Sequence, residues 1–421
     1  MSNTLKFGNG EWYGKEGTIL AYNDENNNYK PLLFDFERAS SATRVNKEGL
    51  IEVVSNNEPR IDFTNDSKGA LLLEPSRTNL LTYSEAFDNA AWDKSGSSVT
   101  SDFVSPKGDL SAFKLVEDTS TAAHMLQTSS YSFVSTNSYS FSVRAKSLNR
   151  GLQINMGGGI NVACFNCLTG EVTFEGVDNI YFTNMTAKTR TMADGWFEFS
   201  ASFDCILSVA SKVRLVMLPT PTTITNNPSY TGDGTSGIYI WGAQLEQGSY
   251  ATSYIPTQGS IGTRVAETCS GAGNDQVFND SEGVIYVETQ PFIDGDFESV
   301  YISLSDNTTG NNFITIQHRD SGQLRVYAGN FTTVIYLVNI DMSENLKIAL
   351  QYENITDFKL YVNGISYPIY STPTNSAFVG LNTFDFKLRG SASGYWLGQV
   401  KEAKYFNTAL TDQELINLTK I

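Results

Sequence analysis

Along most of this chain apolar and polar side chains alternate one for one. That is the two-residue period of a β-strand with one face turned to a core. The run YSFSVRAKS at 139–147 sets Tyr139, Phe141, Val143 and Ala145 against Ser140, Ser142, Arg144 and Lys146. AFKLVE at 112–117 alternates Phe113 and Leu115 with Lys114, and GWFEFSASFDC at 195–205 and KVRLVML at 212–218 repeat the signature. The stretch Ile238 to Leu245 closes the series; its four opening residues, Ile-Tyr-Ile-Trp, have the composition of a strand packed on both faces. Strands at such short intervals, punctuated by Gly, Asn, Ser and Asp, predict an antiparallel sandwich or jelly roll over 79–257.

A second series begins at about Glu282 with GVIYVETQPF, SVYISLSD, NFITIQHRD and QLRVYAG, and continues through LKIALQYE, DFKLYVNGISYPIY and YWLGQVKEAKYF. It predicts another antiparallel β-sandwich over 275–421, with 258–274 as a linker. Asn363-Gly364 between apolar runs is a hairpin signal, because both residues accept positive φ. The chain closes with a predicted short helix in TDQELINLTK. Thr411 and Glu414 form a capping box there, and Leu410 with Leu415 a hydrophobic staple. Residues 1–78 hold shorter pieces (TILAYN, PLLFDFERAS, EPRIDF, ALLLEP) and a hairpin in VNKEGLIEVV turning at Lys47 to Gly49. They are too dispersed to bury a core alone, so the expectation is a small N-terminal β segment for attachment or oligomerisation. The expected fold class is all-β, with two tandem sandwiches.

Composition narrows the partners. Of 421 residues only 18% are charged, and 29 Lys and Arg against 45 Asp and Glu give a net charge of −16. Such a surface repels phosphate backbones and anionic lipid, which argues against nucleic acid and membrane as partners. No window approaches the roughly 18 apolar residues of a membrane span. MSNTLKFGNG lacks an apolar signal core, so synthesis in the cytosol without classical export is expected. Cys164 and Cys167 form a single CxxC without a second pair at zinc-ribbon spacing, and they are read with Cys205 and Cys269 as buried free thiols.

Three runs carry a resemblance. RASSATRVNKEGLIEVVSNNEPRIDF (38–63), ALLLEPSRTNLLTYSEAFDNAAW (70–92) and WGAQLEQGSYATSYIPTQGSIGTRVAE (241–267) resemble segments that recur in structural proteins of tailed bacteriophages and prophages. ACFNCLTGEVTFEG followed by DGWFEFSASF is similar to the middle of a carbohydrate-binding jelly roll of the family 4/9 type. DFKLYVNGISY and GQVKEAKYFNTALTDQELINLT resemble the last strands and helix of concanavalin-like, laminin-G-like sandwiches. The resemblance implies a fibre or decoration protein on the virion surface, on head or tail, made in the host cytoplasm. It implies a homotrimer first and a dimer second, contacts with other virion proteins, and weak sites for host-surface glycans acting through avidity. Arg38, Arg44, Arg60 and Phe63 are then the expected interface residues. QGSYATSYIPTQGSIGTR is the expected exit tail of the jelly roll, pinned by Tyr250, Tyr254 and Pro256.

Candidate chemistry is sparse. The only histidines, His124 and His318, fall in different predicted domains, and no GxSxG, HExxH or P-loop is present. Glycan hydrolysis needs only a carboxylate pair about 5–9.5 Å apart. The Glu-x-Asp pattern of concanavalin-like glucanases has its nearest match in DGDFE, where Asp294, Asp296 and Glu298 alternate, but with Asp at the first position and Gly295 within. No cofactor is expected beyond a structural calcium. Asp294, Asp296 and Glu298 are its candidates in the second sandwich, and Glu85 and Glu246 in the jelly roll, where Trp241-Gly242 departs from the acidic pattern of that family. Trp92, Trp196, Trp241 and Trp396 are the candidates for stacking on sugar rings, each against a competing reading as core. YTGDGTSG (230–237) precedes a strand, and reads as a loop rather than a phosphate cradle. Beside the non-enzymatic reading stand two alternatives: a virion-associated glycan depolymerase and a secreted bacterial adhesin.

Overall fold

Antiparallel strands form nearly everywhere the two-residue period runs. In a computed structural model of the chain, the described residues are 3–9, 13–15, 19–23, 29–64, 66–156, 162–176, 178–292, 299–308, 310, 312–319, 323–329, 334–340, 345–353, 355, 357–367, 377–389 and 394–421. They fall into two compact units. One comprises Met1–Ser41, Val54–Pro75 and Val265–Ile421, and the other Ala42–Val53 and Ser76–Arg264.

The second of these units is a sandwich of two six-stranded sheets. One sheet runs in the order Trp92–Ser95, Met125–Thr128, Arg214–Leu218, Gly151–Asn155, Val162–Phe165, Val172–Glu175. The other runs Ser97–Phe103, Ala112–Glu117, Gly237–Gln247, Ser138–Leu148, Phe197–Cys205, Phe182–Thr191. Their facing sides supply one core, with Phe141, Val143, Phe199, Ile240 and Leu245 from one sheet and Leu152, Ile154, Phe165, Leu215 and Met217 from the other. Ser140, Ser142 and Arg144, on the opposite side of their strand, are buried as well. The exit tail packs on this side, with the Arg144 guanidinium 5.1 Å from the centre of the Tyr254 ring. Asn79 Nδ2 donates to the Ile255 carbonyl (2.9 Å), the Ile255 amide donates to Gln244 Oε1 (2.6 Å), and the Thr252 amide donates to Glu246 Oε2 (2.9 Å). Gln244 and Glu246 of the sheet, with Asn79 beside it, thus replace ladder hydrogen bonds for the tail's backbone. Tyr254 and Ile255 are the buried anchors, Arg77 stacks on Tyr250 at 5.5 Å, and Pro256 is exposed. A bulge at Gly242 (φ 60°) makes room: a Cβ there would stand 3.3 Å from the Tyr254 ring.

The first unit contains an eight-stranded sheet. Its order is Ile365–Tyr367, Asp357–Val362, Leu346–Glu353, Glu282–Pro291, Gly398–Phe406, Ala70–Leu73, Ile61–Asp62, with Asn3–Gly8 also on Gly398–Phe406. A five-stranded sheet runs Val334–Asn339, Gln323–Ala328, Phe313–Arg319, Ser299–Ser305, Thr383–Asp385, and a smaller one joins Tyr29–Glu37 to Thr268–Ser270. Phe34, Phe36, Leu71, Leu73, Ile285, Val287, Ile314 and Leu350 share its core. The helix Asp412–Thr419 forms with the predicted capping box, and Leu410 and Leu415 pack with Val284, Tyr286, Ala349, Tyr361 and Phe406 on the outer face of the large sheet.

Two expectations about organisation are corrected. Residues 1–78 are not a separate segment: their strands complete the sheets of the unit that ends at Ile421, apart from 42–53 and 76–78. Nor is 258–274 a bare linker, since Gly262–Arg264 pairs with Arg77–Asn79 and Thr268–Ser270 with Tyr29–Glu37. A short strand needs a partner to bury its face, and local alternation does not say which partner.

Candidate functional site

The outer face of the eight-stranded sheet is only partly covered by the helix. Beside it lies a basin of about 480 Å3 bordered by Asn9, Asp66, Lys68, Tyr286, Glu288, Lys347, Lys401, Glu402, Lys404 and Asn417. Strand alternation builds it. Ile285 and Val287 point into the core, so Tyr286 and Glu288 point out; Ala403 and Tyr405 do the same for Glu402 and Lys404. A register shift opposite Glu288 and Thr289 leaves Lys401 as an extra residue, and the bulge adds its side chain to the rim. Gly8 (φ 95°) permits the close approach of the N-terminal strand here. A Cβ at Gly8 would sit 2.2 Å from the Lys401 carbonyl oxygen, the group that accepts from the Asn9 amide at 2.7 Å.

Four ammonium groups face three carboxylates in the basin, a local positive excess on an acidic chain. Lys404 Nζ lies 2.7 Å from Glu402 Oε2 and 5.3 Å from the centre of the Tyr286 ring. Lys401 pairs with Asp66 at 3.4 Å, Lys347 with Glu288 at 3.9 Å, and Lys68 donates to Asn9 Oδ1 at 2.5 Å. Glu288 Oε1 accepts from Asn345 Nδ2 at 2.8 Å. Glu402, only 4% exposed, keeps one carboxylate oxygen without a hydrogen-bond partner. Burial, then the charges of Glu288 and Glu402, push the Tyr286 hydroxyl far above the usual tyrosine range, so the ring stays neutral. The basin therefore offers fixed donors and acceptors over an aromatic surface. Glu288 and Glu402 also stand directly opposite each other in register.

The residues singled out from sequence lie elsewhere. Trp92, Trp196, Trp241 and Trp396 are 2%, 3%, 0% and 0% exposed, which corrects the expectation that they stack on sugars. Three of them spend the indole N–H inside: Trp92 on the Tyr83 carbonyl, Trp241 on Ser111 Oγ and Trp396 on Thr289 Oγ1. Glu85 and Glu246 are each engaged by protein donors. Glu85 accepts from the Tyr254 hydroxyl at 2.9 Å, while buried Glu246 is taken by the Thr252 amide and hydroxyl. Burial pushes the Glu246 carboxyl up, and Thr252 and Arg264 act against it. Among the described residues no three His, Cys, Asp or Glu side chains form a metal-type group. Asp294, Asp296 and Glu298 lie outside the described residues.

Arg38 and Arg60 are also corrected, from interface to interior. Both are buried, and Glu267 accepts from Arg38 Nη1 (2.8 Å) and Arg60 Nε (2.7 Å), while Arg60 reaches Glu74 at 2.9 Å. Arg44 pairs with Glu52 at 2.6 Å, and Phe63 is half-buried against the core. His124 and His318 are buried. No sequence motif marked the basin. Its one advance signal is that Glu288, Glu402 and Lys404 interrupt apolar strands at outward positions, and only strand register brings them together.

Compared with known proteins, the chain matches no family model and no curated protein. Among solved structures it is similar to the CBM40 of a Ruminococcus gnavus IT-sialidase bound to alpha2,3 sialyllactose, at 17% identity over 36% of this chain and 94% of that one, with a TM-score of 0.28. A leech intramolecular trans-sialidase complexed with 2,7-anhydro-Neu5Ac matches at 18% identity over 36% of this chain and 26% of that one, TM-score 0.28. A Trypanosoma rangeli sialidase in complex with sialic acid matches at 8% identity over 95% and 65%, again with a TM-score of 0.28. Overlap this low assigns no function to the chain.

Proposed function

We propose that the chain is a non-enzymatic appendage protein of a tailed-phage virion that holds host-surface or environmental glycans, with the basin as its saccharide site. The observation that supports this best is the make-up of the basin wall. Lysine donors alternate with carboxylate and amide acceptors around Tyr286, on paired strands, a turn and the helix. Sugar hydroxyls both donate and accept, so a wall holding both functions suits them. The excess of one ammonium group favours a sugar that carries a carboxylate.

The virion reading draws on how the phage-like runs meet. In one unit Arg38 and Arg60 from the first run, Glu74 from the second and Glu267 from the third form one buried network. In the other, Thr43 from the first run donates to the Tyr254 carbonyl, and Ser84 from the second takes the Thr257 amide. The resemblance thus falls on a buried frame, as expected of a recurring structural module. Display as a homotrimer would multiply weak single-site affinity.

Glycan-array binding and ligand-observed NMR on the full chain test the site, with exposed Lys68→Ala and Asn417→Ala combined as the control. At least one glycan should bind, and the double variant should weaken it at least tenfold without moving the melting temperature. No binding, or binding that the variant leaves intact, overturns the assignment. A second reading, glycan hydrolysis, is favoured by the opposed carboxylates of Glu288 and Glu402. New reducing ends formed by the wild type and abolished in Glu402→Gln would establish it instead.

A further inference from the structure

The jelly-roll unit carries a concavity of different chemistry. Leu80–Tyr83, Ala91–Trp92 and Thr128–Tyr131 enclose a crevice of about 200 Å3, and none of its walls bears a charge. Tyr83 and Tyr131 are half-buried, and the hydroxyls of Thr82, Ser129 and Ser130 lie on exposed residues at the rim. The three segments are distant in sequence but tied to one another. Trp92 Nε1 donates to the Tyr83 carbonyl at 2.9 Å, and the Ser129 amide and hydroxyl donate to the Ala91 carbonyl at 3.0 and 3.3 Å. Tyr131 is held edge-on to Phe133 at 5.0 Å and to Tyr139 at 6.0 Å. The crevice is therefore preformed.

We infer that this crevice is a second ligand site, for a single uncharged saccharide ring. A pyranose has an apolar C–H face that packs on tyrosine and leucine carbons, and an edge of hydroxyls that meets the Thr and Ser rim. The volume is below the roughly 300–1,000 Å3 of clefts for drug-sized ligands, so one ring is admitted rather than a chain. With no charge in the walls, binding is insensitive to salt, whereas occupancy of the lysine basin falls with salt. Two sites of unlike chemistry make each chain bivalent before any oligomer forms. The inference does not depend on the basin's being a glycan site.

The test is a titration of the full chain with uncharged hexoses and N-acetylhexosamines, followed by protein-observed NMR at low and high salt. At least one sugar should perturb signals around Tyr83, Ser129 and Tyr131, with the same affinity at both salt concentrations. Tyr83→Ala, and Ser130→Trp as a steric plug, should each weaken it at least tenfold, while Lys68→Ala with Asn417→Ala should leave it unchanged. Ser130→Trp, at an exposed position, keeps the test valid if removing the tyrosine disturbs folding. Perturbations that map elsewhere, a salt-dependent affinity, insensitivity to both variants, or no perturbation by any sugar at saturating concentration would overturn the proposal.

Discussion

Glu267 is the residue whose loss should be felt most in the unit that ends at Ile421. It has no exposed side-chain surface. Oε1 accepts from Arg38 and Arg60, and Oε2 accepts from the Glu74 amide at 2.9 Å and from a second Arg60 nitrogen. Burial alone disfavours the Arg60 cation, but Glu267 and then Glu74 outweigh it and raise its pKa above the usual arginine range. Glu267→Gln keeps the shape, removes the charge and turns one oxygen into a donor that faces donors. Arg60 would keep Glu74, and Arg38 its bonds to the Ser40, Ser55 and Glu58 carbonyls, but neither guanidinium would face the Glu267 charge. Breaking a buried ion pair from one side costs about 3–5 kcal/mol, because a buried charge is left uncompensated by an opposite one. At about 2–4 °C per kcal/mol for a unit of this size, the melting midpoint should drop by roughly 6–20 °C. Calorimetry combined with hydrogen exchange reads this unit by unit, with protection lost around Phe34 and Leu71 and retained around Phe141 and Phe199. A midpoint that moves by less than about 1 °C would refute the reasoning, since the guanidiniums would then have found other partners.

Four further outcomes follow from the same geometry. Burial opposes the charge on Glu198, but Arg144 and Arg190 outweigh it and hold the carboxyl below the usual glutamate range. A depressed folded pKa gives stability that is complete above the unfolded value of about 4.5 and lost as pH falls through the folded one. Urea melts of the jelly-roll unit should therefore weaken in acid, and Glu198→Gln should be less stable at neutral pH but flatter toward acid; parallel curves would remove Glu198 as the source. Thr411→Ala abolishes the capping box and should cost about 0.5–2 kcal/mol, seen as faster amide exchange at Glu414 and Leu415. Gly242→Ala puts a side chain at φ 60° against Tyr254, and should cost about 1–2 kcal/mol in a thermal melt. Cys164, Cys167, Cys205 and Cys269 are free and buried, so a thiol reagent should titrate none in the native chain and all four after unfolding.

Some of this architecture needed only the local sequence. The alternation from Tyr139 to Ala145 gave a strand with Phe141 and Val143 in the core. Asn363-Gly364 gave its hairpin, with φ of 51° and 80° between Val362 and Ile365. Thr411 and Glu414 gave the start of the helix. Each rests on residues adjacent in the chain, whose preferences for turn, cap or alternating face act before any distant contact forms. Tertiary structure decided the rest. Leu71 and Leu73 read as strand from sequence, but nothing local says that they join Gly398–Phe406, more than three hundred residues away. The tryptophans were ambiguous between core and ligand face, and burial settled all four as core. Arg38 and Arg60 are charged side chains that sequence places outside, yet Glu267, more than two hundred residues further on, makes their burial tolerable. The basin is the fullest case. Glu288 faces Glu402 only through strand register, and Lys401 joins them only through a bulge. A site assembled across strands is a property of pairing, and pairing is fixed by which faces can be buried together.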